Sequence, residues 1–234
     1  MMSHTELVEF FNDSADTYRF LSQVFFKELT ADAVEELARG EYPTDTGNAC
    51  LDKGYRLIKR YFSFSSTDRR TQLACEYARI FLAAGVFTKA AVTAVPYESV
   101  FTSEAHIMMQ ESRDDVVARY RADGFLVDPA LHEPEDHLAF ELEYLAEMNA
   151  RAAALVEAAD AAGLARNIER QIEFIDAHLL NWLPQLLETA QEYAKLAFYI
   201  GILLVAQGSL EQGRVILDEV RAQLRAGDTL KQAS

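Results

Sequence analysis

The chain has 234 residues, half of them hydrophobic, and its formal net charge is −15. Such a chain can bury a sizeable core, which excludes a disordered protein, and its length suits one large helical domain or two small ones. So negative a charge argues against binding to nucleic acid or to an anionic membrane surface, because both require a basic face.

The N-terminal part is predicted to be helical throughout. Apolar residues recur with the helical period from Leu7 to Phe25, which predicts the first helix. Thr30 can cap a short second helix that stops at Gly40, and the polar run 42–48 reads as a loop.

Two further helices follow that loop. The third carries Leu51, Tyr55, Ile58 and Phe62 on one face. The fourth begins at a cap, Asp68 or Thr67, and ends at Gly85.

The middle of the chain interrupts the helical pattern. Residues 86–102 break it, and the short run 90–95 carries the one strand signal. A helix is predicted from about Ser103 to Asp123, followed by a hinge or loop over 125–133.

The C-terminal part begins with a long helix from Pro134 to about Ala159. It has two apolar stripes, so it should be central, and Gly163 separates it from the next helix. A corner follows at Trp182-Leu183-Pro184, then a strongly apolar stretch over 185–206. Gly208 precedes a final helix over 210–225.

The sequence therefore predicts an all-α protein, a single compact bundle of roughly nine to eleven helices. The domain is expected to comprise an N-terminal part, 1–124, a hinge at 125–133 and a C-terminal part, 134–225.

Compartment signals favour the cytoplasm. Cys50 and Cys75 lack a Cys-x-x-Cys spacing, so neither a disulfide framework nor a zinc site is indicated. Acidic residues interrupt the N-terminal apolar pattern, which a secretory leader would not tolerate. The longest apolar region, 196–206, is about half of the roughly 20 residues that a membrane span requires, so no span is expected.

The densest polar cluster is His132-Glu133-Pro134-Glu135-Asp136-His137. Its two histidines are five residues apart, not the four of a zincin helix, and His137 with Glu141 provides only two ligands on one face. Acidic side chains in a first helical turn also stabilise the positive end of the dipole, so we expect Asp136 to cap or stabilise the first turn of its own helix.

Enzyme motifs are missing from the sequence. It contains no phosphate-binding P-loop, no Gly-x-Gly-x-x-Gly and no Gly-x-Ser-x-Gly, so no enzyme is predicted. A second segment, Pro96-Tyr97-Glu98-Ser99-Val100-Phe101, reads either as an ordinary turn with Tyr97 in the core or as a loop lining a groove.

Several segments occur in the order of one protein family. They are Glu76-Tyr77-Ala78-Arg79-Ile80-Phe81, Pro96 to Val100, Tyr120 with Gly124-Phe125, Glu133 to Ala139, Glu141 to Met148, His178 to Pro184 and Phe198-Tyr199. This order resembles the TorD/DmsD-like cytoplasmic chaperones that serve trimethylamine-oxide and dimethyl-sulfoxide reductases. Tyr144-Leu145 stands where the family has Phe-Met, which blurs the subfamily and hence the client enzyme.

The resemblance implies an all-helical chaperone that binds the twin-arginine signal peptide of an apo molybdopterin oxidoreductase and delays its export while the cofactor is inserted. It also implies weak guanine-nucleotide binding in some members, no other cofactor and no metal. The active form would be a monomer or a dimer that exchanges helices across the hinge. By position, the peptide-binding surface would involve Tyr77, Phe81, Pro96, Tyr97, Glu98, Ser99, Glu133, Asp136 and His137.

The chemistry of such a peptide agrees with these residues. Two guanidiniums call for carboxylates, here Glu98, Glu133 and Asp136, because Arg and carboxylate can form paired hydrogen bonds. The apolar stretch calls for an apolar wall, which Tyr77, Phe81 and Tyr97 could supply. Two alternatives stay open from sequence: a metal- or nucleotide-dependent enzyme using 132–141, and a helical scaffold protein.

Overall fold

The described chain is all-α. A computed structural model describes residues 2–64, 66, 68–84 and 93–232, with side chains up to 226. Within these ranges there is one 3-10 turn, Pro129–Leu131, and a single antiparallel bridge, Tyr97 to His137, with no strand. The helices are α1 (His4–Phe26), α2 (Ala31–Arg39), α3 (Ala49–Ser63), α4 (Arg69–Phe81), α5 (Glu98–Thr102), α6 (Glu111–Ala122), α7 (Leu138–Glu157), α8 (Ala161–His178), α9 (Leu183–Tyr193) and α10 (Ala197–Gln232). The prediction of an all-α bundle is confirmed.

Side-chain caps set the starts of the N-terminal helices. Ser3 and Glu6 form a reciprocal capping box on α1, and the Thr30 hydroxyl accepts the Ala33 N–H at the start of α2. Asp68 caps α4, as one of the two sequence alternatives predicted. The other cap, Thr67, the predicted stop at Gly85 and residues 90–92 of the run 90–95 lie outside the described residues. Residues 93–95 form no strand.

Two helix pairs organise the core. α1 packs along α7, and α3 packs along α10. The second pair approaches closely because glycines lie at the crossing: a Cβ added to Gly54 would stand 2.7 Å from the carbonyl oxygen of Gly201. Gly208, predicted to precede a separate final helix, lies inside α10, where Leu51 fills the space that a side chain would occupy.

The C-terminal helix α10 is therefore longer than the sequence indicated. Over 197–226 it is long and apolar enough to cross a membrane by length and composition alone. However, 61% of its most apolar window is buried within the protein, as in the core helix of a folded domain.

Three predicted boundaries were wrong. The helix expected from Ser103 begins only at Glu111, as α6, after an irregular loop with left-handed His106 and Met109, while the short helix α5 lies before Ser103. The long helix α7 starts at Leu138 and not at Pro134, since His137 supplies its N-cap. Gly163 lies in the first turn of α8, where its N–H donates to the carboxylate of Asp160 at 2.8 Å.

The segment between α6 and α7 is irregular, as predicted. It leaves α6 at Gly124, whose φ of +68° favours glycine, and it contains the 3-10 turn capped by Asp128. Its function as a hinge stays a prediction.

Candidate functional site

Backbone hydrogen bonds join the segment before α5 to the segment before α7. The Glu98 N–H donates to the Asp136 carbonyl at 3.0 Å, and the Leu138 N–H donates to the Pro96 carbonyl at 2.9 Å. These bonds flank the bridge between Tyr97 and His137. Two short motifs that are distant in the sequence thus form one paired unit, which we call the motif clip (residues 96–99 and 133–138).

Asp136 ties the clip to α5. Its side chain is fully buried, and Oδ2 accepts the Ser99 N–H at 2.9 Å, so it caps α5 rather than its own helix. The sequence prediction for this cap was therefore wrong. Burial raises the pKa of Asp136, and the hydrogen bonds from Ser99 oppose that rise.

His137 is the residue that caps α7. Its Nδ1 accepts the Ala139 N–H at 3.1 Å, while its ring meets Tyr97 edge to face with centroids 4.9 Å apart. Phe26, from the end of α1, packs on the opposite flank at 6.2 Å. Burial lowers the pKa of His137 to about 3, so the ring is neutral and can act as the acceptor.

Glu98 belongs to a buried polar network and not to an open surface. Its Oε2 lies 2.9 Å from Nδ1 of His178, and its Oε1 accepts from the Asn181 amide at 3.3 Å. The other ring nitrogen of His178 lies 2.9 Å from Asp115, which is 55% exposed. His178 thus connects a buried carboxylate to one at the surface.

Glu141 is the least satisfied group beneath the clip. It is fully buried, and within the described residues neither carboxyl oxygen has a hydrogen-bond partner. Burial raises its pKa well above the usual range, and the charges of Glu98 and Asp136 raise it further. Glu141 consequently holds its proton to a higher pH than an exposed glutamate does.

The exposed part of the clip is one aromatic and carboxylate pair. The Tyr97 hydroxyl donates to Glu133 Oε2 at 2.5 Å; Tyr97 is half-buried and Glu133 is exposed. Burial raises the pKa of the Tyr97 hydroxyl, and the contact with Glu133 adds to that rise. This pair is the part of the predicted site that a ligand can reach directly.

Tyr77 and Phe81 lie behind the clip, in the core. The Tyr77 hydroxyl donates to the Phe25 carbonyl at 2.9 Å, and both rings pack against Tyr199 of α10. Burial raises the pKa of Tyr77, and the charge of Glu133 adds to that rise. These aromatics support the site from within and do not form an open wall.

The structure therefore brings the predicted residues together while burying most of them. Sequence reasoning did not identify Phe26 and His178 as neighbours of the site, and it placed Glu141 beside His137 without indicating its burial. His178 and Glu141 did lie in motifs that carried the family resemblance, whereas Phe26 gave no signal.

The described residues of this region offer no set of metal ligands. Within the described residues, no three His, Cys, Asp or Glu side chains come together in a way that could hold a metal ion. His132 is exposed with left-handed backbone, whereas the acceptor nitrogen of His137 is occupied by the α7 cap.

The motif residues of this all-helical domain contact one another and leave one polar and aromatic pair exposed. Such an arrangement is typical of a binding protein. The chain matches the model of the nitrate reductase delta subunit family over residues 48–188 and belongs to that family. This finding confirms the resemblance recognised in the sequence.

Named relatives agree with this membership. The chain is 27% identical to "Chaperone protein TorD" of Vibrio cholerae over 212 residues, which cover 88% of this chain and 92% of the relative. It is 28% identical to the protein of that name from Vibrio vulnificus, over 83% and 89% of the two chains. It is 23% identical to that from Photobacterium profundum, over 92% and 99%. The prediction of a chaperone rather than an enzyme is confirmed.

Proposed function

We propose that this protein is a cytoplasmic chaperone that binds the twin-arginine signal peptide of a molybdopterin oxidoreductase of the dimethyl-sulfoxide or trimethylamine-oxide reductase type. It holds the apo enzyme back from export while the molybdenum cofactor is inserted. Family membership and the relatives named TorD support the class, and the geometry of the motif clip supports the peptide site.

The observation that carries the proposal is the pairing of Tyr97 with Glu133 at the surface. A guanidinium donates paired hydrogen bonds to a carboxylate and also stacks over aromatic rings. Glu133 offers the acceptor and Tyr97 the ring, so one arginine of the leader would displace the tyrosine hydroxyl from the carboxylate.

The buried part of the clip gives this pair its rigidity. Asp136 and His137 hold the starts of α5 and α7, since Asp136 Oδ2 and His137 Nδ1 each accept a backbone N–H. Substituting them would disturb the site through its geometry and not through a lost contact with the peptide. A site fixed before binding loses less entropy when the peptide arrives.

The experiment is calorimetry with a synthetic twin-arginine peptide at low and at moderate salt. We expect Glu133→Gln to weaken binding by about five- to tenfold, a loss of about 1 kcal/mol, which is typical of a solvent-exposed charge pair. The loss should shrink as salt rises, since exposed charges are screened.

Glu104→Gln serves as the matched control, because Glu104 is exposed and lies outside the clip. A peptide with both arginines changed to lysine tests the paired hydrogen bonds, which an ammonium group cannot make. Absence of binding to any twin-arginine peptide would overturn the function. Equal binding by wild type and Glu133→Gln would remove this surface from it.

Two further properties remain part of the proposal. Weak binding of a guanine nucleotide would appear as a GTP-dependent shift in thermal unfolding. Exchange of helices across 125–133 would give a dimer that size-exclusion chromatography with light scattering separates from the monomer.

A further inference from the structure

A groove runs along α1 on the face turned away from the motif clip. It consists of three adjoining cavities of about 270, 310 and 320 Å³. The first two share Thr17 and Tyr55 as lining residues, and the second and third share Phe20, Leu37 and Tyr42. We call this feature the α1 groove. From Phe10 to Val24 it follows α1 for about 21 Å, at 1.5 Å per residue.

The α1 groove is separate from the proposed signal-peptide site at the motif clip. Phe26 of α1 packs on His137 in the motif clip. Thr17, which lines two of the cavities, is nine residues earlier, or about two and a half helical turns, and so lies on the opposite face of α1.

The lining of the groove is apolar and negatively charged. Asp13, Asp16 and Glu36 contribute carboxylates, and no Lys or Arg lines any of the three cavities. Asp16 pairs with Arg19 at 3.1 Å, whereas among the described residues Asp13 and Glu36 make no ion pair. Phe20 lies on the surface between two cavities with 39% of its area exposed.

These features define the occupant. The groove walls come mostly from helices, whose backbone bonds are internal, and the loop residues Leu29, Gly40 and Tyr42 that complete them form no strand. An extended peptide would therefore find no strand edge to pair with. A helix satisfies its own backbone and can lay an apolar stripe into the groove. The carboxylates require basic side chains beside that stripe, and a second copy of this chain, with net charge −15, would be repelled.

We propose that the α1 groove binds a cationic amphipathic helix of a partner protein. The apolar face of that helix contacts Phe20, Leu37 and Tyr42, while its Lys or Arg side chains reach Asp13 and Glu36. The groove is a second binding surface, and both sites can be occupied at once.

The test uses a labelled 15-residue Leu–Lys peptide with one apolar helical face, and a Leu–Glu peptide of the same pattern, in fluorescence anisotropy. The full chain should bind the first and not the second. Phe20→Ala should weaken binding about tenfold, whereas Phe64→Ala, at another exposed phenylalanine, should change it less than twofold.

A charge-matched pair of triple variants separates the groove from bulk charge. Asp13→Asn, Asp16→Asn and Glu36→Gln combined should weaken binding about tenfold and flatten its salt dependence. Glu104→Gln, Glu188→Gln and Glu192→Gln combined, on exposed residues outside the groove, should change it less than twofold. Circular dichroism confirms that each variant is folded.

Equal weakening by the two triple variants, or equal binding of the Leu–Glu peptide, would overturn the proposal. Glu133→Gln should leave binding of the Leu–Lys peptide unchanged, and the groove variants should leave binding of a twin-arginine peptide unchanged. Failure at one surface is thereby distinguished from failure at the other.

Discussion

The carboxylate of Asp136 accepts a hydrogen bond at 2.9 Å from the backbone N–H of Ser99, which lies 37 residues earlier in the chain. This bond makes the residue before one helix the cap of another. It explains how an acidic motif, placed just before α7, can be buried and structural while its neighbour Glu133 stays at the surface. The buried residues of the motif thus fix the position of the exposed pair formed by Tyr97 and Glu133.

The buried carboxyl of Glu141 makes stability depend on pH. Burial raises the pKa of Glu141 in the folded protein well above the usual value of a glutamate carboxyl. The folded state therefore keeps this proton more tightly than the unfolded state does, so the contribution of Glu141 to stability is complete below about pH 4.5 and is lost as pH rises through the folded pKa.

Glu141→Gln removes that ionisation. Relative to the wild type, the variant should gain stability as pH rises from 4.5 to 8, measured by urea unfolding at each pH. Glu104→Gln, at an exposed site, should show no such trend. A difference between Glu141→Gln and the wild type that does not change with pH would contradict the raised pKa of Glu141.

The N-cap role of His137 can be tested by keeping or removing its hydrogen-bond acceptor. At pH 7.5, His137→Asn should be more stable than His137→Ala by about 1 kcal/mol, because asparagine also accepts the N–H at a helix start. Both variants lose the ring contacts with Tyr97 and Phe26, so the comparison isolates the cap.

The same cap predicts an acid response of the opposite sign to that of Glu141. The pKa of His137 falls from 6.5 to about 3 on folding, so its contribution is present above pH 6.5 and is lost as pH falls from 6.5 towards 3. Urea unfolding across this window should show a smaller loss in His137→Asn than in the wild type. Parallel curves would be inconsistent with a neutral His137.

The pair of Glu98 and His178 should show strong coupling. His178→Ala leaves the buried carboxyl of Glu98 with Asn181 as its remaining side-chain partner, so we expect a loss of about 3 kcal/mol in the free energy of unfolding. In a double-mutant cycle with Glu98→Gln, the two losses should add to clearly more than that of the double variant. Simple additivity would show that the two side chains act independently.

The close approach of α3 and α10 should not tolerate a methyl group. Gly54→Ala would place Cβ 2.7 Å from the Gly201 carbonyl, and backbone cannot swing aside as a side chain can. We expect a loss of about 1–3 kcal/mol, typical of overpacking, despite the better helix propensity of alanine. Thermal unfolding measures this, and an unchanged or higher midpoint would argue against the crossing.

The sequence predicted the all-α class, and it predicted those helix caps whose partners lie within a few residues. Thr30 and Asp68 cap helices through neighbours three residues away, so their signal lies within a short window. Prediction from the sequence failed where a contact between distant residues determines the structure. Gly208 reads as a helix boundary, yet α10 continues through it, and Leu51 of α3 occupies the space that a side chain at this position would fill.

The candidate site shows the same division. Its residue types were recognisable from the sequence, because a carboxylate and an aromatic ring can bind an arginine side chain in any fold. Burial was not: Glu98 and Asp136 read as surface charges, and only their contacts with His178 and Ser99 show that they face inward. No periodicity could indicate the α1 groove as a site, since it lies between α1, α2, α3 and α10.

By itself, then, the sequence determined an acidic, helical protein of a chaperone family, because charge, hydrophobic period and motif order are properties of the chain. The tertiary structure alone decided which polar groups are structural and which remain free to bind. The physical reason is that desolvation and hydrogen-bond partnership depend on neighbours brought together by packing, as His178 of α8 is brought to Glu98 of α5.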